Sequence, residues 1–156
     1  MDENKVRLSP QDFIPLMQER FDAGLPLKLT VTGNSMLPFL ADKRDSVILT
    51  KVHNEPKKGD IYLFQRADGR CVLHRVRRVA DDGIFFIGDA QSQIEGPISP
   101  DCLLAECHEA IRKGKTITTK SLVWRFFSVV WIRIIRSRPL IGRIIGKFKH
   151  YKQKIQ

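Results

Sequence analysis

The sequence predicts a mainly β protein, in which a bent antiparallel β assembly follows a short N-terminal helix and precedes a C-terminal amphipathic helix. Three observations support this prediction. Apolar residues with helical spacing lie near the N-terminus, and seven short apolar runs follow them. A segment that is both apolar and basic follows Thr119. We expect an N-terminal helix in residues 1–26, a β domain in residues 27–119 and a basic amphipathic segment in residues 120–156.

The N-terminal helix is predicted over residues 9–24. Ser9 is a suitable N-cap, Pro10 suits the first helical turn, and Gly24 is a suitable stop. The apolar residues with helical spacing are Phe13, Leu16, Met17 and Phe21.

The strands are predicted from a change of period at Leu27. "LKLTVT" (27–32) alternates apolar and polar residues, which is typical of a half-buried strand. Further strands are expected at 46–50, 60–65, 71–79, 83–88, 103–111 and 115–119. Turn residues separate them, including a turn predicted at Gly96-Pro97. Short strands at regular spacing favour a sandwich or a partly open barrel.

The positive charge of the chain is concentrated near its C-terminus. Residues 1–109 hold 14 Lys/Arg and 17 Asp/Glu, whereas residues 110–156 hold 13 Lys/Arg and no acid. A one-sided basic block of this kind favours an anionic partner, either lipid or nucleic acid.

The C-terminal segment has the pattern of a helix on a membrane surface. At about 100° per residue, five of its basic side chains fall within roughly one quarter of the helical wheel, and its apolar side chains fill much of the rest. The basic set is Arg125, Arg133, Arg136, Arg143 and Lys147. We expect residues 120–156 to bind an anionic membrane. Packing on the body or on another subunit, and a tilted span with snorkelling arginines, are the alternatives. The aromatic residues are not interleaved with the basic stripe, so no nucleic acid is expected.

The N-terminal stretch "MDENKVRLSP" is polar, which is unlike a secretory signal or a membrane anchor. Three cysteines without metal-site spacing favour reduced thiols, and neither a metal nor a cofactor is expected. These features predict a cytoplasmic protein, peripheral on the inner face of the cell membrane.

Three segments supply the residue types of a serine peptidase. "VTGNSMLPFL" (31–40) places Ser35 on a turn, His74 follows 39 residues later on a strand, and "GDAQSQIE" contains Asp89 and Glu95. A serine hydroxyl needs an adjacent base to act as a nucleophile, and imidazole accepts protons near pH 7. A carboxylate that orients the imidazole completes the unit. On residue types alone, a plain turn at Ser35 and an ordinary strand histidine at 74 are the alternatives.

The motifs "GNSMLPFL", "RDSVIL", "KKGDIYLFQ", "CVLHRVRRV" and "FFIGDA" occur in this order over about residues 27–119. In this order they resemble the LexA/signal peptidase superfamily of serine peptidases. The resemblance implies a signal-peptidase/LexA-like bent β fold, with Ser35 as nucleophile and His74 as base. Histidine in "HRV" is similar to the histidine-type signal peptidases rather than to the Ser-Lys enzymes.

The resemblance has two departures at the site. The catalytic acid expected six residues after Asp89 is Glu95 instead of aspartate, so either Asp89 or Glu95 is the third group. Gly33 occupies the position where many signal peptidases have a serine that stabilises the oxyanion. The residues expected to bind substrate are Gly33, Asn34, Met36 and Pro38.

The resemblance therefore implies an endopeptidase that works through an acyl-enzyme. Its expected substrate is a precursor or leader peptide inside the cell, with small residues at the cleavage site, bound as an added strand. A catalytically silent or self-processing binding module of the same fold is the alternative.

Overall fold

The computed structural model describes residues 9–134 of the 156 residues. The first element is the helix α1 (Pro10–Asp22). The strands are β1 (Leu27–Thr30), β2 (Ser46–Thr50), β3 (Ile61–Gln65), β4 (Cys71–Ala80), β5 (Gly83–Ile87), β6 (Glu95–Ile98), β7 (Leu103–Arg112) and β8 (Lys115–Thr118). A helical segment, residues 122–133, follows β8. The predicted class, mainly antiparallel β with a helix on either side, is confirmed.

The helix α1 begins and ends where its sequence predicts. The hydroxyl of Ser9 accepts a hydrogen bond from the backbone N–H of Asp12 and donates one to the Asp12 carboxylate. Gly24, with φ of 71°, follows the last turn. Met17 and Phe21 on the apolar face of α1 are buried, so the helix packs on the main core.

The strands form one antiparallel sheet in the order β1-β2-β7-β3-β4-β5-β6, and β8 pairs with β7. Strand β7 is central, because it pairs with β2, β3 and β8 along its ten residues. The register shifts between Ile48 and Leu49, between Leu63 and Phe64, and between Val76 and Arg78. Such irregularities increase the local twist and bend the strands in which they occur.

All seven predicted strands are present, with small differences at their ends. The turn predicted at Gly96-Pro97 is wrong, because both residues belong to β6. Strand β6 pairs only with β5 and forms an edge of the sheet, where a proline lacking its N–H is tolerated.

Two hydrophobic clusters fill the interior. The main core includes Met36, Phe39 and Leu40 from the segment after β1, together with apolar side chains from α1, β2, β3, β7 and residues 122–133. The second cluster contains Tyr62, Phe64, Val76, Ile84 and Phe86. Alternate residues of β3 and β4 belong to opposite clusters, as expected for strands buried on both faces.

Residues 122–133 wind as an α-helical turn α2 (Leu122–Arg125), then a wider π turn (Phe126–Val130) and a 3₁₀ turn (Trp131–Arg133). Trp124, Phe127 and Trp131 are buried on the main core, and the rings of Trp124 and Phe127 lie 5.2 and 5.0 Å from that of Phe39. For this part of the chain, packing on the body is therefore the arrangement observed.

The rest of the predicted amphipathic segment, with Arg136, Arg143 and Lys147, lies outside the described residues. Between residues 9 and 134 we find no helix with the length and apolar character needed to cross a bilayer.

Candidate active site

Ser35 lies in a loop that the buried Asp45 holds in place. The backbone N–H of Val31 donates to the Asp45 carbonyl at 2.9 Å, and the N–H groups of Ala41 and Lys113 donate to the Asp45 carboxylate. Burial alone would raise the pKa of Asp45, but these hydrogen bonds and those from Arg44 outweigh it and lower the pKa to about 2. The loop therefore depends on an ionised carboxylate.

Gly33 makes the turn before the serine. Its φ of 84° lies in the left-handed region, and its N–H donates to Asp42 Oδ1 at 2.8 Å. The side chain of Met36 is buried in the main core. Because Met36 anchors one side of the turn, Ser35 is held partly exposed at the surface.

The carbonyl of Ser35 is attached to the loop between β5 and β6. It accepts a hydrogen bond from the N–H of Ala90 at 2.8 Å. It also lies against Gly88 so closely that a Cβ at position 88 would be 2.6 Å from it. A side chain at residue 88 would therefore displace the backbone of Ser35.

His74 lies in the middle of β4, close to the same glycine. The β4–β5 ladder ends with the pair Arg75 and Ile87, so His74 and Gly88 are the next residue of each chain segment beyond that last pair. Gly88 is thus next to both the Ser35 carbonyl and the strand position of His74. Ser35 Oγ and His74 are not hydrogen-bonded to each other, and within residues 9–134 the N–H of Ser35 donates to no acceptor.

The imidazole of His74 is buried beside an aromatic ring and close to two charged side chains. It is 1% exposed, and its ring lies 6.2 Å from that of Phe64. Burial lowers the pKa of His74 to about 4, with Glu95 raising it and Arg66 lowering it. The imidazole is therefore neutral at pH 7, the form that accepts a proton.

Glu95 is the acidic residue that faces His74. It lies at the start of β6, paired with Phe86, and its Oε2 is 3.6 Å from His74 Nδ1. This distance is slightly too long for a hydrogen bond. Both carboxylate oxygens of Glu95 bind the guanidinium of Arg66, with 2.7 Å between Oε2 and Nη2.

Asp89 has a different position. Its two oxygens accept hydrogen bonds from Arg75 Nε at 3.0 Å and Nη2 at 2.8 Å, and both side chains are completely buried. Arg75 also donates to the carbonyl of Gly59 and to Ser128 Oγ. Of the two acids predicted from the sequence, Glu95 is the one within ion-pair distance of His74.

The predicted substrate-binding residues have unequal access to solvent. Gly33 and Asn34 are exposed, Pro38 is partly buried, and Met36 is buried. An open depression of about 460 Å³ lies beside Glu95. It is lined by Arg66, Ala90, Gln91, Ser92, Gln93, Ile94 and Glu95.

Sequence reasoning missed Arg66 and Gly88. Arg66 follows the end of β3, 29 residues before Glu95, and only the pairing of β3, β4, β5 and β6 brings the two together. For Gly88, the signal was a glycine directly before the acidic residue of "GDA". Such a glycine often marks a close backbone approach.

The arrangement has the components of a Ser-His-acid unit: a serine on a tight turn, a neutral imidazole and a fixed carboxylate. Across residues 9–134, no group of three or more His, Cys, Asp or Glu side chains is placed to hold a metal ion.

A family model matches the chain. It is described as Peptidase S24-like, and it covers residues 3–99, which include Ser35, His74, Asp89 and Glu95. None of the curated proteins and none of the solved structures compared with the chain matches it. Because the match spans more than half of the sequence, and because the fold is the bent antiparallel β assembly described above, the chain belongs to the Peptidase S24-like family of the LexA/signal peptidase superfamily.

Proposed function

We propose that the protein is a serine endopeptidase that cleaves a precursor or leader peptide through an acyl-enzyme. The observation that carries the proposal is the environment of His74. Its imidazole is buried and neutral and faces Glu95. Its chain neighbour Arg75 pairs with Ile87, the residue before the glycine against which Ser35 packs. Membership of the Peptidase S24-like family supports the same activity.

In the proposed reaction, Glu95 orients His74. Nδ1 of the imidazole faces the carboxylate, so Nε2 on the other side of the ring is left to take the proton of Ser35. Ser35 Oγ attacks the scissile carbonyl, and the imidazolium then protonates the leaving amine. Water activated by His74 hydrolyses the acyl-enzyme. The long His74–Glu95 distance suits an enzyme without substrate, because catalytic hydrogen bonds often shorten only in the complex.

The N–H of Ser35 is the proposed donor to the oxyanion. It is not used in any hydrogen bond within the described residues, whereas the N–H of Gly33 is occupied by Asp42. A free backbone donor next to the nucleophile is what a tetrahedral intermediate needs.

The substrate is proposed to bind as an extended strand. Strand β1 is an edge of the sheet, since it pairs only with β2, and it leads directly into the loop that carries Ser35. A peptide added to this edge would pass the serine with its backbone paired and its side chains alternating.

A serine-reactive probe tests the nucleophile without knowledge of the substrate. We expect a fluorophosphonate to label Ser35 covalently, as read by peptide mass spectrometry, and we expect the His74→Ala variant to lose this labelling. In parallel, cleavage of Ala-rich precursor peptides should fall by at least about a thousandfold in Ser35→Ala and in His74→Ala.

Matched controls are Ser99→Ala and His53→Ala, because both residues are exposed and lie away from Gly88 in the chain. Both variants should retain labelling and cleavage. Hydrolysis that persists in Ser35→Ala would show that this serine is not the nucleophile.

A binding module of the same fold is the second candidate, and the absence of a hydrogen bond between Ser35 Oγ and His74 favours it. A protein of this kind would bind the peptides without cleaving them, and Ser35 would not react with the probe. If such a protein instead cleaved itself, the mass of the intact chain, measured by mass spectrometry, would decrease.

A further inference from the structure

The helical segment 122–133 has two apolar faces, and only one of them is covered by the body. Trp124, Phe127 and Trp131 face the main core and are buried. The other face carries four exposed side chains, which we name the apolar stripe: Leu122 at 82% exposure, Phe126 at 45%, Val129 at 47% and Val130 at 46%. Leu122 and Phe126 are four residues apart, as are Phe126 and Val130, so each pair is separated by about one helical turn.

The apolar stripe is a concentration of exposed apolar surface. Residues 9–134 contain nine exposed large hydrophobic side chains, and five of them lie between Leu122 and Val130. Single exposed hydrophobic residues are ordinary, but a contiguous group on a well-packed helix marks a contact surface. The opposite face of the helix is fixed to the core, so the stripe keeps a defined orientation.

Basic side chains border the apolar stripe. Arg133 continues it by one turn and is exposed. The turn at Gly59 lies against Ser128, where an added Cβ would be 2.9 Å away, and the N–H of Gly59 donates to the carbonyl of Val76. Lys58 precedes Gly59 and Arg77 follows Val76 in the chain, so both are placed beside the helix. After burial, the main causes of the lowered pKa of Lys58 are Arg77 and Arg133, as expected for three cations close together.

We propose that the apolar stripe, with Lys58, Arg77 and Arg133 as its basic border, docks the protein on an anionic lipid bilayer. The apolar side chains would enter the boundary between headgroups and acyl chains, and the cations would lie at the level of the lipid phosphates. The charge of the chain fits this partner, because no acidic residue occurs from residue 110 to 156. Residues 135–156 contribute seven further Lys/Arg.

Docking in this way would place the candidate active site beside the membrane. Trp131 Nε1 donates to the carbonyl of Asp89 at 2.7 Å, and Ser128 accepts a hydrogen bond from Arg75. The helix that meets the bilayer is therefore bonded directly to the loop that supports Ser35. The proposal does not depend on peptidase activity, since the surface is defined by side chains outside the site.

Sedimentation of the full chain with lipid vesicles tests the proposal. We expect binding to vesicles containing phosphatidylglycerol, weak binding to pure phosphatidylcholine, and weaker binding as salt is added. The variant Leu122→Ser/Phe126→Ser/Val130→Ser should bind about tenfold or more weakly. Lys58→Gln and Arg133→Gln should each weaken binding about fivefold, a typical contribution of one charge near the surface.

The controls are an exposed hydrophobic residue and an exposed cation elsewhere, Leu25→Ser and Lys28→Gln, which should bind like the unmodified chain. Insertion has its own readout: tryptophan placed by Phe126→Trp should shift its emission to the blue on anionic vesicles, and tryptophan placed by Leu25→Trp should not.

Three results would overturn the proposal. The first is that the unmodified chain fails to bind anionic vesicles. The second is that the stripe variants bind these vesicles as well as the unmodified chain does, which would assign the affinity to residues 135–156. The third is that the stripe variants dissociate a dimer in analytical ultracentrifugation without altering vesicle binding, which would assign the surface to a second copy of the chain.

Discussion

At the scale of single residues, the charge state of His74 depends on two neighbours with opposite effects. Burial is the main cause of its lowered pKa, while Glu95 raises the pKa and Arg66 lowers it. Arg66 and Glu95 also bind each other, so Arg66 controls both the field at the imidazole and the position of the carboxylate. Arg66 is thus a positioning residue in the proposed reaction.

We expect the two neighbours to shift the His74 pKa in opposite directions. Glu95→Gln removes a charge that favours the imidazolium, so the pKa should fall below about 4. Arg66→Gln removes a repulsive charge and leaves Glu95 unpaired, so the pKa should rise toward 6.5. NMR titration of the histidine ring protons measures both shifts, with the exposed His53 as internal control. Shifts of the same sign in the two variants would contradict the model of the site.

At the scale of elements, Arg75 joins four parts of the fold. From β4 it binds Asp89 in the β5–β6 loop, the carbonyl of Gly59 before β3, and Ser128 in the helical segment 122–133. Its guanidinium also lies 4.9 Å from the ring centre of Phe39, in the segment after Ser35. Because Arg75 is completely buried, these partners replace all of its hydration.

The two acids should therefore differ sharply in their contribution to stability. Asp89→Ala leaves a buried, unpaired guanidinium, and we expect the free energy of unfolding to fall by about 3–5 kcal/mol. Glu95→Ala frees Arg66, whose side chain is 28% exposed and can be hydrated, so the loss should stay within about 1 kcal/mol. Urea unfolding followed by circular dichroism measures both. Equal losses in the two variants would contradict the division into a structural and a functional acid.

At the scale of the whole molecule, stability should depend on pH through a few buried groups. The folded-state pKa of His74 is below its ordinary value of 6.5. The stability that the neutral imidazole contributes is therefore complete above pH 6.5 and is lost as the pH falls through about 4. Asp45, with its pKa lowered to about 2, adds a second loss below about pH 4. Asp60 has the opposite effect on stability. Because burial raises its pKa, it stabilises the folded protein as the pH falls and not as the pH rises.

We expect the unfolding free energy to decrease by up to about 3 kcal/mol between pH 7 and pH 4 because of His74. The variant His74→Gln should show a shallower pH dependence over this range, and the difference between the two proteins removes the contribution of Asp60. Urea unfolding at steps of pH supplies the slopes. Parallel curves for the two proteins would mean that His74 is not held neutral by burial.

Ser35 and His74 are candidates because of their residue types and the resemblance of their motifs. Local patterns in the sequence determined the fold class, α1 and seven of the eight strands. These features follow from the alternation of apolar side chains, from turn residues and from caps, all of which act over a few neighbouring residues. Strand β6 escaped prediction because its Gly96-Pro97 sequence is typical of a turn, and only pairing with β5 makes it a strand.

The tertiary structure alone decided which acid faces His74, which cation binds that acid, and which apolar face of residues 122–133 is buried. Glu95 reaches His74 and Arg66 because sheet pairing brings together positions 21 and 29 residues apart, while Asp89 is taken up by Arg75 on the other face of β4. A helical pattern cannot distinguish Trp124 from Phe126, since both are large and aromatic. Their burial differs because only one face of the helix meets Phe39 and the main core, where it is removed from water.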